Sequence, residues 1–279
     1  FILCFTSTLV TAQNIVIRGP QSNYDASHAY YKGLIKLAFK KINKEVTLSH
    51  APYMVQSRAL KEMSQGRLID VYWAGSNAER ESQLGYVDIP LNRGLLGFRV
   101  FTINKSSIDK IVGVESLVQL TQLRLCQGSH WPDTDIMLAS GLNVMPNPVY
   151  ENMFRQVYSG RCDAFPRGIN EAQSEVRARH NIMPELTVFD DLILYYPFPM
   201  YFFTKKNNQP LLASLKKGLE IAIDDGSFDT YIRTHESTKH LFPTSQWINT
   251  KTISIPNPFL SPETDTKNPR YWFIPAKSN

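Results

Sequence analysis

Two arginines follow predicted buried strands, and each could bind an anion. Arg80 lies about one turn into a helix that is predicted to begin in residues 76–79, whose Ser-Asn-Ala-Glu sequence has the form of a capping box. The apolar run of residues 68–74 precedes this helix and is predicted to be a buried strand. A cation gains nothing from the positive end of a helix dipole, so a bound anion would explain Arg80. An ion pair with a surface carboxylate is the simpler alternative.

The second arginine, Arg167, lies in a stretch that repeats this arrangement. A predicted helix over residues 150–158 leads into a predicted strand over residues 161–168, and another helix follows. The order Gly-Arg, Asp, aromatic, Gly, Asn occurs in both stretches, which predicts two similar α/β lobes. Two arginines facing one cavity would require an anion between them, held in bidentate fashion. Pairing of Arg167 with Glu171 or Glu175 on the following helix is the competing interpretation.

The residues around both arginines are candidate ligand contacts, because ligands of open α/β sheets bind where the strands end. Trp73 ends the first-lobe strand, and the loop of residues 128–132 follows the first strand of the second lobe. Either tryptophan could instead be a core residue. The candidate ligand-binding residues are Tyr24, Trp73, Gly75, Ser76, Asn77, Arg80, Ser129, His130, Trp131 and Arg167.

The order of elements predicts the domain organisation. Alternating β-prone and helical segments give a β-α-β-α-β run in the first part of the chain, and the pattern restarts near Ser116. We expect a first lobe made of residues 13–100 and 200–279, and a second lobe made of residues 101–199. The aromatic stretch of residues 192–203 is broken by prolines, which favours a crossing segment over a central strand. The expected fold class is α/β, with two Rossmann-like lobes joined by two crossing segments.

The first twelve residues and the cysteines bear on the cellular compartment. Residues 1–12 form an apolar run ending in Val-Thr-Ala, which is typical of the end of a secretory signal cleaved after Ala12, although a buried first strand is the alternative. Export to the periplasm would allow Cys126 and Cys162 to form a disulfide. Two buried free thiols are equally compatible with the sequence, since it does not give the distance between them.

Composition and motifs exclude several classes of function. The chain has 279 residues, 43% of them hydrophobic, and a formal charge of +5 whose lysines and arginines are scattered, so we expect a globular protein without a nucleic-acid partner. It contains no Gly-x-Ser-x-Gly, His-Glu-x-x-His, phosphate-loop or Cys-x-x-Cys motif. We therefore expect neither an enzyme nor a metal or other cofactor.

The order of elements resembles that of the type II periplasmic solute-binding proteins, in the bacterial extracellular solute-binding family 3 that includes binders of polar amino acids. The family pairs a glycine at a helix end and an aspartate in the next strand with a Thr-Pro-Glu-Arg-like helix start. The matching positions here are Gly66, Asp70 and residues 77–80. The resemblance implies that Arg80 binds a ligand carboxylate and that Gly128 and Ser129 open the second-lobe site.

Two departures from the family pattern concern the ligand. Gly168 stands where amino-acid binders usually place the aspartate that holds the ligand ammonium, and the usual hydroxyl ahead of the arginine is replaced around Gly75. An anionic or carboxylate-bearing solute is therefore expected in place of an amino acid. The resemblance implies a monomeric periplasmic receptor that closes on a small polar solute for an ABC-type transporter. The alternatives are a sensing input for a signalling partner and an exported enzyme on the same scaffold.

Overall fold

The computed structural model describes residues 13–273. The predicted signal segment, residues 1–12, lies outside the described residues. Along the chain the elements are β1 (Gln13–Ile17), α1 (His28–Lys41), β2 (Val46–His50), α2 (Gln56–Ser64), β3 (Tyr72–Gly75), α3 (Ala78–Gln83), β4 (Gly85–Val87), β5 (Phe98–Asn104), α4 (Ile108–Ile111), α5 (Leu117–Leu120), β6 (Leu125–Gly128), α6 (Pro132–Ala139), β7 (Val144–Asn147), α7 (Tyr150–Tyr158), β8 (Phe165–Gly168), α8 (Ala172–Arg179), β9 (Leu186–Tyr195), β10 (Met200–Thr204), α9 (Gln209–Asp224), α10 (Ser227–Thr234) and β11 (Lys251–Ser254).

Lobe one is built on a sheet in which β1 and β2 are parallel and β10 lies between β3 and β4. A bridge between Ile17 and Val71 connects the two parts of this sheet. The helix α1 packs its apolar face, including Leu34 and Ala38, into the core and lies against α9. The two helices approach closely because Gly218 of α9 has no side chain, and a Cβ there would lie 2.0 Å from the carbonyl oxygen of Ala38.

Lobe two is built on a sheet in which β5 and β9 are central, with β8 and β11 beside them. The parallel pair β6 and β7 joins this sheet through a bridge between Leu125 and Ala164. Cys126 and Cys162 form a disulfide beneath α7, with their Cα atoms 5.6 Å apart. Of the two alternatives left open by the sequence, the structure therefore has the disulfide.

The chain passes between the lobes through residues 88–97, from β4 to β5, and through residues 196–199, from β9 to β10. The longer stretch of residues 192–203, expected as a crossing and not as a central strand, instead contains the ends of two central strands. Pro197 and Pro199 both fall in the four-residue link, so neither strand loses a ladder donor to proline. The prediction of a crossing over the whole stretch was wrong because the two prolines mark only the four-residue link between β9 and β10.

The C-terminal segment also departs from the expected boundary, which assigned residues 200–279 to lobe one. After α10, the chain crosses to lobe two, where β11 pairs in parallel with β9. It then returns to lobe one, where the amide of Ala78 donates to the carbonyl of Phe259 over 2.9 Å. Burial of Ile253 and Ile255 favours the lobe-two position, since β9 would otherwise present an apolar sheet edge to solvent.

No helix among residues 13–273 is long and apolar enough to cross a membrane.

Candidate functional site

A small polar cavity lies between the two lobes, where β1 and β3 of lobe one end opposite β5, β8 and the start of α6 of lobe two. Its volume is about 50 Å³. Three arginines line it, Arg18, Arg99 and Arg167, together with the carboxylates Asp133 and Glu171. The groups that line this narrow space come from both lobes, so the lobes lie close together there.

Arg18 has the weakest protein contacts of the three arginines. It follows β1 directly and is 6% exposed. Its guanidinium lies 3.6 Å from the carboxylate of Asp25 and donates to the carbonyl of Gly19 over 3.4 Å, at the outer limit of hydrogen bonding. The rings of Tyr72 and Trp73 lie 4.9 and 5.2 Å from it. Arg18 is therefore a buried cation held by aromatic faces, with donors still available.

Arg99 is 1% exposed and comes from the second residue of β5. It forms an ion pair with Asp133, the second residue of α6, and this carboxylate also accepts a hydrogen bond from the hydroxyl of Tyr196 over 2.6 Å. Its Nε atom has no hydrogen-bond partner within residues 13–273. Arg99 thus has its charge compensated but keeps one unsatisfied donor.

Arg167 is fully paired within lobe two. Its Nε and Nη2 atoms donate to the two carboxylate oxygens of Glu175, each over 2.7 Å, in the bidentate arrangement typical of arginine. The same Glu175 accepts a hydrogen bond from the hydroxyl of Tyr150 over 2.6 Å. The indole ring of Trp131 lies 5.0 Å from the guanidinium. The pairing of Arg167 with Glu175, which was the competing interpretation from the sequence, is thus present in the structure. The Arg167 side chain also lines the cavity.

Glu171 faces the cavity with one oxygen that is not hydrogen-bonded. It is 4% exposed, and its Oε2 atom lies 2.9 Å from Nη2 of Arg167 but outside hydrogen-bonding geometry. The pKa of Glu171 is raised to about 7, mainly by burial and in part by the neighbouring Glu175, against the opposing effect of Arg167. The hydroxyl of Tyr31, on α1 of lobe one, is likewise buried and has no hydrogen-bond partner in the described part of the chain. The cavity therefore contains unsatisfied donors and acceptors from both lobes, which a polar solute could satisfy.

The chain has structural relatives, although no known family model and no curated protein sequence matches it. An ancestral arginine-binding protein bound to arginine is 17% identical, with a TM-score of 0.59 over 79% of this chain and 96% of that chain. An amino acid ABC transporter substrate-binding protein from Streptococcus pneumoniae bound to L-arginine is 15% identical, with a TM-score of 0.60 over 81% and 94%. A histidine kinase sensor domain with similarity to periplasmic binding proteins is 14% identical, with a TM-score of 0.59 over 85% and 97%.

The chain has the two-lobe fold of the type II periplasmic binding proteins. In this binding-protein fold, the cavity described above lies at the interface of the two lobes. Structural likeness at this level of identity establishes the architecture, and the chemistry of the site has to come from its own residues. No group of three or more histidine, cysteine, aspartate or glutamate side chains among residues 13–273 could hold a metal ion.

Arg80, the first arginine singled out in the sequence, lies outside this cavity. Its guanidinium donates to the carbonyl of Gly75 over 2.6 Å, to the side chain of Gln56 over 2.6 Å, and to the carbonyl of His130 in lobe two over 2.7 Å. Burial lowers the pKa of Arg80 to about 10. The side chain lines a wider groove of about 520 Å³ between α2, α3 and the loop after β6. Arg80 and Arg167 thus contact different spaces.

The other candidate residues divide in the same way. Trp73, Gly75, Trp131 and Arg167 line the cavity, while Asn77, Arg80, Ser129, His130 and the edge of Trp131 line the wider groove. Asn77 is the residue that caps α3, since its side chain accepts from the amide of Arg80; Ser76 instead donates to Glu81 over 2.6 Å. Ser76 and Tyr24 line neither space. Their roles in ligand binding remain predictions.

Four residues that line the cavity were not predicted from the sequence as ligand contacts: Arg18, Arg99, Asp133 and Glu171, of which Glu171 was expected only as a partner of Arg167. For Arg18 a signal was present, because it ends a β-prone run and is followed by Gly19 and Pro20. Like Arg80, Arg18 follows a predicted strand of lobe one. No comparable local signal marked Arg99, which lies near the start of β5, where the chain enters lobe two.

Proposed function

We propose that this protein is a periplasmic solute-binding receptor whose two lobes close on a small solute that carries a carboxylate or a similar anionic group. The observation that carries the proposal is the convergence of three buried arginines on one cavity between the lobes, with only Arg18 lacking a hydrogen-bonded carboxylate partner. A buried cation without close compensation is costly, and an anionic solute would remove that cost when the lobes close.

Arg18 is the anchor in this proposal. A guanidinium presents parallel donors that match a carboxylate, and the aromatic faces of Tyr72 and Trp73 hold its plane. Arg99 and Arg167 are already paired with carboxylates of lobe two, so their charges are compensated and neither is the expected anchor. Arg80, which the family resemblance implies as the carboxylate ligand, is occupied by three neutral acceptors.

The experiment begins with the native solute. Mass spectrometry of compounds released from the denatured protein identifies it, and a panel of small mono- and dicarboxylates and amino acids serves as the set of titrants in calorimetry. Arg18→Met should weaken binding at least tenfold, because removing one partner of a buried charge pair costs about 2 to 5 kcal/mol. Arg58→Met, at an exposed position of α2, is the matched control and should bind like the parent.

Arg80→Met and Arg167→Met complete the series and separate the possible anchors. If Arg80→Met alone loses binding, the carboxylate is held in the wider groove, as the family resemblance implies. If Arg167→Met binds as tightly as the parent, the two-arginine site expected from the sequence is wrong. A parent protein that binds no anionic or carboxylate-bearing compound would refute the proposed function itself.

Delivery to an ABC-type transporter is the proposed physiological role, supported by the likeness to a transporter substrate-binding protein. Sensing is the second candidate, favoured by the likeness to a histidine kinase sensor domain over 85% of this chain. Cross-linking in membranes would distinguish them, since a permease or a kinase would be captured. An exported enzyme on this scaffold would instead convert its bound compound, which mass spectrometry before and after incubation would detect.

A further inference from the structure

We infer that a latch between the loop of residues 19–27 and two residues of lobe two, Glu151 and Arg179, holds the lobes closed without help from a solute. We call this loop the lid. Glu151 and Arg179 are positioning residues in this inference, because neither lines the cavity and both contact the lid. The inference rests on the proposed function only in that the lobes open and close.

The lid covers one side of the cavity and is internally ordered. Gln21 and Ser27 line the cavity from the lid. The carboxylate of Asp25 accepts from the amide of Gln21 over 2.9 Å and from the hydroxyl of Ser27 over 2.8 Å. The amide of Tyr24 donates to the hydroxyl of Ser22 over 3.0 Å. These bonds tie the lid to itself, so it can move as a unit with lobe one.

Two polar contacts fasten the lid to lobe two. The hydroxyl of Ser22 donates to Oε1 of Glu151, at the start of α7, over 2.5 Å. The carbonyl of Tyr24 accepts from Nη1 of Arg179, at the end of α8, over 3.3 Å. The ring of Tyr24 lies 5.6 Å from the same guanidinium. Both contacts join a neutral group of lobe one to a charged group of lobe two, and such bonds are stronger than neutral ones.

The lobe-two residues of the latch are held in place by contacts within lobe two, independently of the lid. The side chain of Arg179 is fully buried, lies 3.6 Å from the centre of the Phe154 ring, and donates to the carbonyl of Glu175 over 2.7 Å. Its Nε atom donates to Glu151 over 3.1 Å, and a second contact joins the same two side chains. Because these partners all belong to lobe two, the guanidinium keeps its place when the lobes separate. The lid therefore closes on a preorganised acceptor and donor, which lowers the entropy lost on closing.

A further contact between the lobes, from Arg80 to the carbonyl of His130, also holds them together near the wider groove. The cavity itself contributes less, since its polar groups are partly unsatisfied in the closed form. The unsatisfied groups of the cavity oppose closure without solute, and the inference is that the contacts between the lobes outweigh them. A solute must then enter and leave through the small open population, so the latch slows both its binding and its release.

The test uses protein freed of solute by unfolding and refolding, so no solute has to be known. Dyes on Lys40→Cys and Gln122→Cys, exposed positions of lobe one and lobe two, report the distance between the lobes by single-molecule energy transfer. The parent should populate mainly the closed state. Ser22→Ala and Glu151→Gln should each lower the ratio of closed to open molecules about tenfold, as expected for loss of one charge-assisted bond.

Ser214→Ala is the matched control, because the hydroxyl of this half-buried serine donates to the carbonyl of Pro210 within α9 and does not contact lobe two. It should leave the ratio unchanged, and a single cooperative thermal transition with an unchanged far-ultraviolet circular dichroism spectrum in every variant would show that the fold is intact. A parent that is open without solute would overturn the inference. So would a closed parent whose ratio is unaffected by Ser22→Ala and Glu151→Gln. Neither result depends on the Arg18 variant, so a failure of the latch is distinct from a failure of the proposed function.

Discussion

Replacing Glu171 by glutamine should stabilise the folded protein above pH 7, although the change removes a charge beside an arginine. Glu171 is buried, one of its oxygens has no hydrogen-bond partner, and the bidentate bond of Arg167 goes to Glu175. Burial raises the pKa of Glu171 from 4.5 to about 7. Its charged form is therefore destabilised by the fold, and a neutral isostere avoids that cost.

The size of the expected change in stability follows from the shift in the pKa of Glu171. Between pH 4.5 and about 7, the folded state keeps the Glu171 proton while the unfolded state has lost it. Folded protein then binds more protons than unfolded protein, so stability falls as pH rises through this window. A shift of this size, at about 1.4 kcal/mol per pKa unit, corresponds to a loss of about 3 kcal/mol. Glu171→Gln should match the parent near pH 4.5 and be more stable by up to that amount near pH 8.

Urea unfolding of both proteins between pH 4.5 and 8 measures the difference directly. Glu175→Gln is the matched control with the opposite expectation. Burial alone would raise the pKa of Glu175, but Arg167 lowers it more, so its charge stabilises the fold at neutral pH and the contribution is lost as pH falls. Its loss leaves Arg167 without its bidentate partner and should cost about 3 to 5 kcal/mol near pH 8. A Glu171→Gln protein that is less stable than the parent at pH 8 would refute the reasoning.

Three further predictions concern the fold and its motion. Replacing Cys126 and Cys162 by alanine opens a loop of 36 residues and should lower the free energy of unfolding by about 4 kcal/mol, measured in urea; a loss below about 1 kcal/mol would contradict the loop-entropy argument. A solute that binds at the cavity should change the fluorescence of Trp73 or Trp131 when the other is replaced by phenylalanine, and no change in either variant would place both outside the binding site. In small-angle scattering, a saturating solute should abolish any population of open molecules with a larger radius of gyration. A variant that lacks the latch and has the same radius of gyration with and without solute would count against hinge closure.

Much of each lobe could be predicted because local patterns dictate it. The apolar face of α1 reads directly from the spacing of Tyr31, Leu34 and Ala38, and the structure buries all three. The helix after β3 was expected from its capping residues, although Asn77 and not Ser76 provides the cap. These features depend on neighbours within a few residues, and a single sequence contains that information.

The composition of the cavity could not be predicted, because it depends on distant pairings. Arg99 faces Asp133 across 34 positions of the chain, and Tyr196 joins them from 63 positions beyond Asp133. Arg18 has a local signal in the turn that follows its strand, but its loose contact with Asp25 and its position opposite lobe two could not be predicted from neighbouring residues. The prediction that residues 200–279 belong to lobe one missed β11 for the same reason. The four residues of β11 pair with the edge of β9 in lobe two, and their own sequence does not indicate that partner.

The four passages of the chain between the lobes have a consequence for chirality. Besides residues 88–97 and 196–199, the chain crosses in residues 235–250 on its way to β11 and again in residues 255–259 on its return. Three of these segments lie side by side, since the amide of Tyr196 donates to the carbonyl of Gly97 over 3.2 Å and the side chain of Asn257 donates to the carbonyl of Pro197 over 2.8 Å. They can bend together as one hinge, whereas a twist of the lobes would also have to displace residues 235–250. Closing motion is thereby restricted to bending about one axis, so Arg18 reaches the same position relative to lobe two in every closing event. A site assembled this reproducibly can distinguish the mirror-image forms of a solute, although the residues that line it come from both lobes.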